Sequence, residues 1–585
     1  MKQSLNLILL LAISFSTLAA KKKTPSDFDE TDPKATISAI VRYKLAPAAK
    51  HAEKAKKNKL AKKKDLALID GAVYEGKRKD FEKLIAEDAD IEYVSTDRKV
   101  RATLDYANPA IGAGIAQAQG WSGKGIGVAV IDSGVSPHWD LSGRIVYNET
   151  FVGGGVYDSY GHGTHVAAII AGNGGFSNGQ KATFRGLATR ANIVNLKVLD
   201  AHGVSSDSVV VAAIERAIAL KSFYNIRVIN LSLGRPIVDS YVEDPLCVAV
   251  EKAWKAGIVV VVAAGNFGRE NFCDNNGYGT IASPGNDPFV ITVGAMKTVA
   301  TAAKGDDAIA SYSSKGPTAV DHIAKPDIVA PGNRIISALV YGAYLVDEYP
   351  ENRLPISYYL NWGNDAPSNL YVRMSGTSMA APMVSGAAVL MLEKDPSLSP
   401  DTIKARLMKS ASKQFPTMSV AVDPTTGKTF TSQYDIFTVG AGYLDIPAAM
   451  ASIDSVPLGV RAVSPPVMFD PATGQVLLIT SSAAAWGTSS LNGTAAAWGT
   501  AAAWGTSAVW GSSAIWGSAA AWGTSAVWGS AAAWGASGTE GFSAIWGSSA
   551  AWGTAAAWGT SDTLGSFSGQ FFDPKLVGIA IVGEN

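Results

Sequence analysis

The 585-residue chain has few cysteines, no net charge and no long apolar run beyond its first residues. Two cysteines allow at most one internal disulfide. Lysine plus arginine and aspartate plus glutamate both number 50, and this balance argues against a nucleic-acid partner or a membrane-surface role. No segment after residue 20 has the uninterrupted apolar length of a transmembrane helix. The length itself predicts about two to four folding units.

Residues 1–20 combine a lysine at position 2, a short apolar stretch and an end of small residues. This pattern predicts a secretory signal peptide cleaved near Ala19 or Ala20, and therefore a secreted, extracellular protein. A membrane anchor is the alternative, but the apolar stretch is short for a span. In an exported chain, a disulfide between Cys247 and Cys273 could contribute about 3–4 kcal/mol. Two unpaired buried thiols remain the alternative.

Charge is unevenly distributed along the chain. Residues 42–64 hold ten basic side chains against one acidic, whereas residues 474–560 hold a single charge, Glu540. Within the basic part, residues 35–46 resemble a strand and residues 50–65 an exposed basic helix. A strand, a helix and a final strand follow before residue 106. The sequence thus predicts a small, charged α+β unit at the start of the chain.

From Trp121 onward, apolar strands alternate with amphipathic helices, for example GIGVAVID, ANIVNLKVLD and IVVVVAAGN. Continuous Val/Ile runs indicate strands covered on both faces, so the fold class is α/β with a mostly parallel sheet. Ligands of such sheets bind beyond the carboxyl ends of the strands. Asp132, His162 and Asn266 fall at such strand ends or at the helix starts that follow them.

The stretch SGTSMAAPMV, residues 375–384, opens a long apolar run with no breaker until Pro396. It predicts a buried helix whose first turn holds Ser378 and Pro382. A serine there lies beside unpaired N–H groups and the positive end of the helix dipole, which suits developing negative charge. An ordinary Ser/Thr cap on a core helix is the alternative.

Each of these polar residues also has an ordinary structural interpretation. A lone aspartate at a strand end, such as Asp132, is more often a turn former, and Asn266 could be a turn asparagine. His162 could be structural, and His165 three residues later permits a metal site. No Cys, Asp or Glu cluster nearby completes such a site, so metal is discounted. Together with Ser378, however, these residues supply a nucleophile, a base, an orienting carboxylate and an oxyanion donor.

Six segments in this order resemble the signatures of the subtilisin-like serine proteases: AVIDSGVSPHWDL, GHGTHVAAIIAG, VINLSLG, AAGNFG, KPDIVAPG and SGTSMAAPMVSGAA. The resemblance covers about residues 107–452. It implies a doubly wound, subtilisin-like sheet, endopeptidase activity, Asp132, His162 and Ser378 as the catalytic triad, and Asn266 as the oxyanion donor. Because subtilisin is among the enzymes on which the general description of such triads rests, these roles come from the resemblance itself.

The same resemblance implies further residues and partners. Ser232, Leu233 and Gly234 match the strand that pairs with extended protein or peptide substrates. The N-terminal unit resembles an inhibitory propeptide that the enzyme cuts from itself near Tyr106-Ala107. A solvated basic domain unrelated to activation is the alternative for that unit.

Two insertions depart from the family pattern. GNGGFSNGQKATF follows the histidine helix, where family members often carry a calcium loop, and residues 340–372 precede the SGTS stretch. Asp140 resembles one family calcium ligand, but no ligand set is recognisable. The chemistry requires no cofactor, and structural calcium remains an expectation. The second insertion could border the cleft or be a packed surface loop.

Tryptophans recur with a period of six over residues 486–558, in units of the form A-A-[AVI]-W-G-[TS]. Asn492 and Glu540 fill the two vacant slots. Six is a multiple of the strand period, so this pattern predicts a β-solenoid or multistranded β array. Exposed Trp ladders could bind carbohydrate, a cell surface or sister molecules. A Trp-lined core and an aggregation-prone tail are the alternatives.

The expected organisation has six parts: a signal peptide (1–20), a propeptide (21–106), a protease domain (107–453), a linker (454–480), β-rich hexapeptide repeats (481–560) and a C-terminal strand segment (561–585). The expected function is that of a secreted, self-processed serine endopeptidase. The repeats would serve surface binding or self-association. A surface or adhesive protein whose protease domain mainly processes itself is the alternative.

Overall fold

The computed structural model describes residues 23–25, 28–29, 31–97, 99–102, 110–270, 275–298, 304–416, 418–423, 427–457, 459–470, 475–478 and 584. The expected signal peptide, the Tyr106-Ala107 cleavage site and the Trp repeats lie outside these residues. Among the helices of the described part, none is long and apolar enough to cross a membrane.

The N-terminal unit is a small α+β structure with a four-stranded antiparallel sheet in the order β2-β3-β1-β4. A separate apolar core fills it, built around side chains such as Tyr74 and Phe81. Its elements are β1 (Thr36–Tyr43), α1 (Ala49–Lys57), β2 (Ala61–Leu66), a 3₁₀ turn (Ala67–Ile69), β3 (Gly71–Lys77), α2 (Arg78–Glu87), β4 (Ile91–Thr96) and β5 (Lys99–Ala102).

One helix of this unit is shorter than the sequence predicts. The helix expected over residues 50–65 ends at Lys57, and residues from Ala61 onward form the edge strand β2. The chain turns at Lys59, whose φ of 61° lies in the left-handed region. Charge on β2 suits a sheet edge, because lysines there discourage pairing with other chains.

The larger domain alternates strands and helices, as the sequence predicts. Its elements up to residue 297 are α3 (Ala113–Ala118), β6 (Gly127–Asp132), a 3₁₀ turn (Trp139–Leu141), β7 (Ile145–Thr150), α4 (Gly163–Ala171), β8 (Asn192–Lys197), β9 (Ser205–Ser206), α5 (Asp207–Tyr224), β10 (Ile226–Leu231), β11 (Leu233–Gly234), α6 (Pro245–Lys255), β12 (Val259–Ala263) and β13 (Ile291–Lys297).

The remaining elements are β14 (Ala308–Ile309), β15 (Ile328–Pro331), β16 (Ile335–Ala338), α7 (Tyr344–Glu348), a 3₁₀ turn (Pro350–Asn352), β17 (Arg353–Pro355), α8 (Ile356–Tyr359), β18 (Pro367–Met374), α9 (Thr377–Lys394), α10 (Pro400–Ser410), β19 (Met418–Val422), β20 (Thr429–Gln433), α11 (Ile436–Val439), α12 (Ile446–Ala451), β21 (Val467–Asp470) and β22 (Gln475–Leu478).

An eight-stranded, mostly parallel sheet forms the centre of this domain, in the order β14-β13-β12-β10-β6-β8-β7, with β15 also paired to β13. All pairings are parallel except that of β13 with β14. The central strands are buried along their whole length, which explains their continuous Val/Ile runs. The buried helix α9 packs against β10, β12 and β13 of the sheet, and it also packs against α4. It therefore connects the sheet with α4.

Residues 454–480, expected to be a linker, contain a segment that packs on the larger domain. The N–H of Ala324 donates to the carbonyl oxygen of Pro465 at 2.9 Å. The N–H of Val467 donates to the carbonyl oxygen of His322 at 2.8 Å. The hairpin β21–β22 follows. The stretch around Pro465 is therefore an extended segment docked on this domain.

Candidate active site

Asp132 and His162 meet at the carboxyl edge of the sheet. Asp132 is the last residue of β6, and His162 directly precedes α4. Both side chains are buried, and Nδ1 of His162 lies 2.5 Å from Oδ1 of Asp132. Gly163 permits this approach, because a β-carbon there would collide with the carbonyl oxygen of Gly134. A carboxylate only accepts hydrogen bonds, so Nδ1 carries the proton and Nε2 is the basic nitrogen.

A carboxylate that sequence reasoning missed holds the loop before His162. Asp158 is buried and accepts hydrogen bonds from the N–H groups of Gly161 at 2.7 Å and Thr164 at 2.8 Å. It also accepts one from the hydroxyl of Ser133 at 2.7 Å. Burial raises the pKa of this carboxyl. An acid shortly before a helix start, where N–H groups lack helical acceptors, is the signal that could have found it.

Ser378 lies in the first turn of α9, and its hydroxyl donates to the carbonyl oxygen of Ser232 at 3.1 Å. The prediction that Pro382 shares this turn was wrong, because α9 begins at Thr377 and Pro382 falls in the second turn. Proline has no N–H to offer the carbonyl of Ser378 one turn earlier. The hydroxyl of Ser232 supplies that donor at 2.7 Å. Ser232 therefore helps to fix the start of α9.

Asn266 follows β12 and contacts the residue before Ser378. Its carboxamide oxygen accepts hydrogen bonds from the N–H of Thr377 at 2.9 Å and from the hydroxyl of Thr377 at 3.1 Å. Because Thr377 uses the oxygen, the NH₂ group is the part of this side chain that can serve a ligand oxygen. The sheet thus brings Asn266 beside the start of the Ser378 helix.

Leu233 and Gly234 form β11, one side of a three-stranded antiparallel sheet in the order β11-β5-β9. The middle strand, β5, belongs to the end of the N-terminal unit. Ser232 directly precedes this pairing. The register places Leu233 opposite Ala102, Gly234 opposite Arg101, Lys99 opposite Ser206 and Val100 opposite Ser205. An extended backbone therefore fits between β9 and β11.

The insertion over residues 340–372 borders this site. The ring of Tyr344 stacks on that of Tyr160 with 6.1 Å between centroids, and the Tyr160 ring lies 6.2 Å from that of His162. The N–H of Tyr344 donates to the carbonyl oxygen of Ser159 at 3.0 Å. Through Tyr344 the insertion therefore borders the surroundings of His162, as the first of its two alternatives predicts.

The two insertions also pack on each other, around Asp140. Phe184 makes an edge contact with Tyr371 at 4.8 Å between centroids, within an aromatic cluster of its own. The carboxylate of Asp140 accepts hydrogen bonds from the hydroxyl of Tyr371 at 2.8 Å and from the N–H of Phe176 at 3.1 Å. These contacts give Asp140 a structural role in joining the two insertions. Structural calcium stays a prediction.

Within the described residues, one group of acidic and histidine side chains is spaced to hold a metal, in the N-terminal unit. It consists of His51, Asp88 and Asp90. Lys54 already pairs with Asp88 at 2.9 Å and Lys50 with Asp90 at 2.6 Å. Two ammonium groups thus occupy the place of a cation, and we assign no metal to this group.

Cys247 is a free, buried thiol on α6. Its Sγ lies 3.2 Å from the carboxamide oxygen of Asn286, and burial raises the pKa of the thiol well above its ordinary value. For Cys247 the structure thus has the unpaired alternative and not the disulfide. Cys273 lies outside the described residues.

His165 is buried in the core, where its Nε2 donates to the carbonyl oxygen of Ile335 at 3.1 Å. Burial and the neighbouring His162 lower the pKa of His165 to about 3. Below pH 6.5 the unfolded chain protonates this imidazole while the folded chain does not, so stability falls as the pH drops toward 3. At pH 4.5 this linkage lowers the free energy of unfolding by about 2–3 kcal/mol relative to neutral pH.

Urea unfolding of the full chain at pH 7 and pH 4.5 checks this prediction, in a Ser378→Ala background that limits self-digestion. We expect His165→Gln to remove about 2–3 kcal/mol of the loss between the two pH values. The exposed His202 provides the control, because His202→Gln should leave the loss unchanged. An equal loss in the parent and in His165→Gln would contradict the assignment.

Comparisons with known proteins place the chain in a family. The sequence profile of the subtilase family matches residues 123–435. The chain is 39% identical over 343 residues to serine protease AprX of Bacillus subtilis (strain 168). This alignment covers 56% of this chain and 71% of that protein. It is 34% identical over 312 residues to subtilisin DY of Bacillus licheniformis, which covers 53% of this chain and 92% of that protein.

A solved structure supports the same fold. Fervidolysin from Fervidobacterium pennivorans, described as a keratinolytic enzyme related to subtilisin, aligns with a TM-score of 0.53 and 23% sequence identity. The alignment covers 72% of this chain and 61% of that one. The chain belongs to the subtilase family. It is a subtilisin-like serine endopeptidase, a hydrolase whose family acts on peptide bonds.

Proposed function

We propose that the chain hydrolyses peptide bonds through an acyl-enzyme formed on Ser378, with His162 as general base and Asp132 as its orienting partner. The observation that carries this proposal is the 2.5 Å contact between Nδ1 of His162 and Oδ1 of Asp132. In this proposal Nε2 of His162 takes the hydroxyl proton of Ser378 and then returns it to the leaving amine. Asp132 stabilises the imidazolium formed between these steps.

Two N–H donors would stabilise the oxyanion of the tetrahedral intermediate. The backbone N–H of Ser378 is among the first N–H groups of α9, which have no acceptor within the helix. The NH₂ group of Asn266 is oriented by the hydrogen bonds that its oxygen accepts from Thr377. Donors fixed before the reaction need no reorganisation when charge develops.

Protein and peptide substrates would bind as the middle strand between β9 and β11. In this proposal β5 occupies the position of the substrate residues that precede the cleaved bond. Backbone pairing with Leu233 and Gly234 would hold those residues. Pairing through backbone groups depends little on which side chains the substrate carries, and this supports a broad substrate specificity. The hydroxyl of Ser232 contributes indirectly through the carbonyl of Ser378.

The N-terminal unit would be the enzyme's own propeptide, an intramolecular inhibitor removed by cleavage near Tyr106-Ala107. Its strand β5 fills the proposed substrate position, and its body contacts the protease domain. The hydroxyl of Tyr93 donates to Asp239 at 2.9 Å, and Lys252 pairs with Asp70 at 3.4 Å. An inhibitor held in the cleft by these contacts would remain bound after the first cut.

Asp97 of the N-terminal unit makes two further hydrogen bonds to the protease domain. Its carboxylate accepts hydrogen bonds from the N–H of Ser208 at 2.8 Å and from the hydroxyl of Ser208 at 2.5 Å, at the N-terminus of α5. We expect Asp97→Ala to weaken the bound propeptide by about 1.5–3 kcal/mol, because hydrogen bonds to a charged group are lost at a helix N-terminus. That range corresponds to roughly 10- to 150-fold.

The lag between processing and the appearance of casein cleavage measures this effect. It should shorten strongly in Asp97→Ala and stay unchanged in Glu53→Gln, which removes an exposed acid from α1. An unchanged lag in Asp97→Ala would count against inhibition through this contact.

Export through residues 1–20 would deliver the zymogen to the extracellular space. The Trp repeats would then serve surface binding or self-association, a proposal that rests on sequence alone. Purified full-length chain tests the enzymatic part: it should label with a fluorophosphonate, lose mass corresponding to a cut near residue 106, and cleave casein. A chain that remains whole, unlabelled and inactive would favour the adhesive alternative.

A further inference from the structure

Glu584 lies beyond the Trp repeats in sequence, yet it is buried against the protease domain, with 6% of its surface exposed. The last described residue before Glu584 is Leu478, the end of β22. No sequence signal predicted this contact. The residues that receive Glu584 are Arg269, Lys297, Ser311 and Asn333, which we call the glutamate socket.

The side chain of Asn333 recognises the backbone of Glu584. The N–H of Glu584 donates to the Asn333 carboxamide oxygen at 2.9 Å, and the Asn333 NH₂ group donates to the Glu584 carbonyl oxygen at 3.0 Å. A carboxamide that bonds to both backbone groups of one residue acts as the edge of a strand would.

The carboxylate of Glu584 is recognised separately. Its Oε1 accepts hydrogen bonds from the Arg269 guanidinium at 2.8 Å, from the N–H of Ser311 at 3.0 Å and from the Ser311 hydroxyl. Its Oε2 lies 3.9 Å from Nζ of Lys297. Hydrogen bonds of this charge-assisted kind are stronger than neutral ones. The socket thus selects an acidic side chain.

A buried arginine lies at the centre of the socket. Arg269 is buried between Asp423 at 3.0 Å and Glu584 at 2.8 Å, and its guanidinium lies over the Phe430 ring at 4.7 Å. Arg269 and Glu584 thus form a buried ion pair. Removing one partner of a buried ion pair leaves an uncompensated charge, so the empty socket is disfavoured.

We propose that the glutamate socket is a binding site for Glu584, so that the repeat region is attached to the protease domain on both sides in sequence. One attachment is the docked segment at Pro465–Val467 and the other is Glu584. A cut between the repeats and Glu584 would then leave the downstream fragment bound to the enzyme. This inference does not depend on the proposed catalytic roles.

The socket adjoins the loop that supports the start of α9. Asn333 follows Gly332, whose carbonyl oxygen accepts a hydrogen bond from the N–H of Gly376 at 2.8 Å. The hydroxyl of Tyr312 donates to the same carbonyl at 2.8 Å. Binding of Glu584 therefore fixes a loop that contacts Gly376, two residues before Ser378.

The test uses the full chain in a Ser378→Ala background, with a recognition site for an added sequence-specific protease inserted between Ser566 and Phe567. After cleavage, gel filtration and intact mass measure the share of fragment 567–585 that co-elutes with the protease domain. We expect the fragment to remain bound at low salt. Glu584→Gln and Asn333→Ala should each release it at least tenfold faster.

Asp573→Asn is the matched control, because Asp573 is the other acidic residue of the fragment. It should leave retention unchanged. Release of the parent fragment immediately after cleavage would overturn the proposal. Equal retention in the parent and in Glu584→Gln would also overturn it, since other residues of the fragment would then do the binding. The Glu584 variant decides the question even if Asn333→Ala fails to fold.

Discussion

Replacing Ser378 with alanine is expected to abolish both self-processing and casein cleavage while leaving the fold intact. The hydroxyl donates to the carbonyl oxygen of Ser232 at 3.1 Å, and loss of a neutral hydrogen bond of this kind costs about 1 kcal/mol, so the fold should persist. In subtilisin, removal of the triad serine lowers kcat by about 10⁶-fold, and we expect a loss of that order here. Intact mass, fluorophosphonate labelling and casein hydrolysis should therefore all differ from wild type together.

A serine outside the site separates this loss from a general effect of hydroxyl removal. Ser410 lies near the end of α10, where its hydroxyl contacts only the carbonyl oxygen of Leu407 among the described residues, at 3.4 Å. Ser410→Ala should process, label and cleave as wild type does. Residual casein cleavage by Ser378→Ala above the uncatalysed rate by far more than about 10⁴-fold would show that another residue acts as nucleophile.

The parts of the site that sequence predicts best are those tied to periodicity. A buried strand such as β6 must end at a particular residue, and the parallel order of the sheet brings such ends to one edge. The amino-acid pattern alone therefore predicts that Asp132, the His162 loop and Asn266 cluster. For Ser378 the pattern left two interpretations open, a nucleophile or an ordinary cap, and the family resemblance favoured the nucleophile.

Contacts between distant parts of the chain could not be read from local pattern. Asp158 supports His162 because three donors converge on it, and only the folded loop brings those donors together. The aromatic packing of Phe184 on Tyr371 joins two insertions that are separated by many residues in sequence. The contacts of Glu584 with the glutamate socket also join residues that are far apart in sequence. Tertiary contact decides such positions, and local propensity carries no information about them.

The carboxylate of Asp132 holds the position on which the proposed proton transfer depends. Its Oδ1 accepts hydrogen bonds from Nδ1 of His162 at 2.5 Å and from the N–H of Ser133 at 2.7 Å. Within the described residues its buried Oδ2 has no hydrogen-bond partner. An asparagine fits the same space and can keep both hydrogen bonds, but it removes the negative charge beside the imidazole. The substitution thus isolates the electrostatic role of Asp132 from its role in packing.

Asp132→Asn is therefore expected to lower kcat by about 10⁴-fold, the size known for loss of the triad carboxylate in serine proteases, with KM nearly unchanged. The imidazolium formed when His162 takes the proton would lack its counter-charge, whereas substrate would still pair with β9 and β11. Because the variant should fail to process itself, wild-type enzyme added in trans and then removed would prepare it for kinetics on a chromogenic peptide. Asp140→Asn, which neutralises a buried aspartate in the aromatic cluster, should retain wild-type kcat. A comparable fall in both variants would mean that buried charge supports the fold generally, and Asp132 would then lose its place beside His162 in the mechanism.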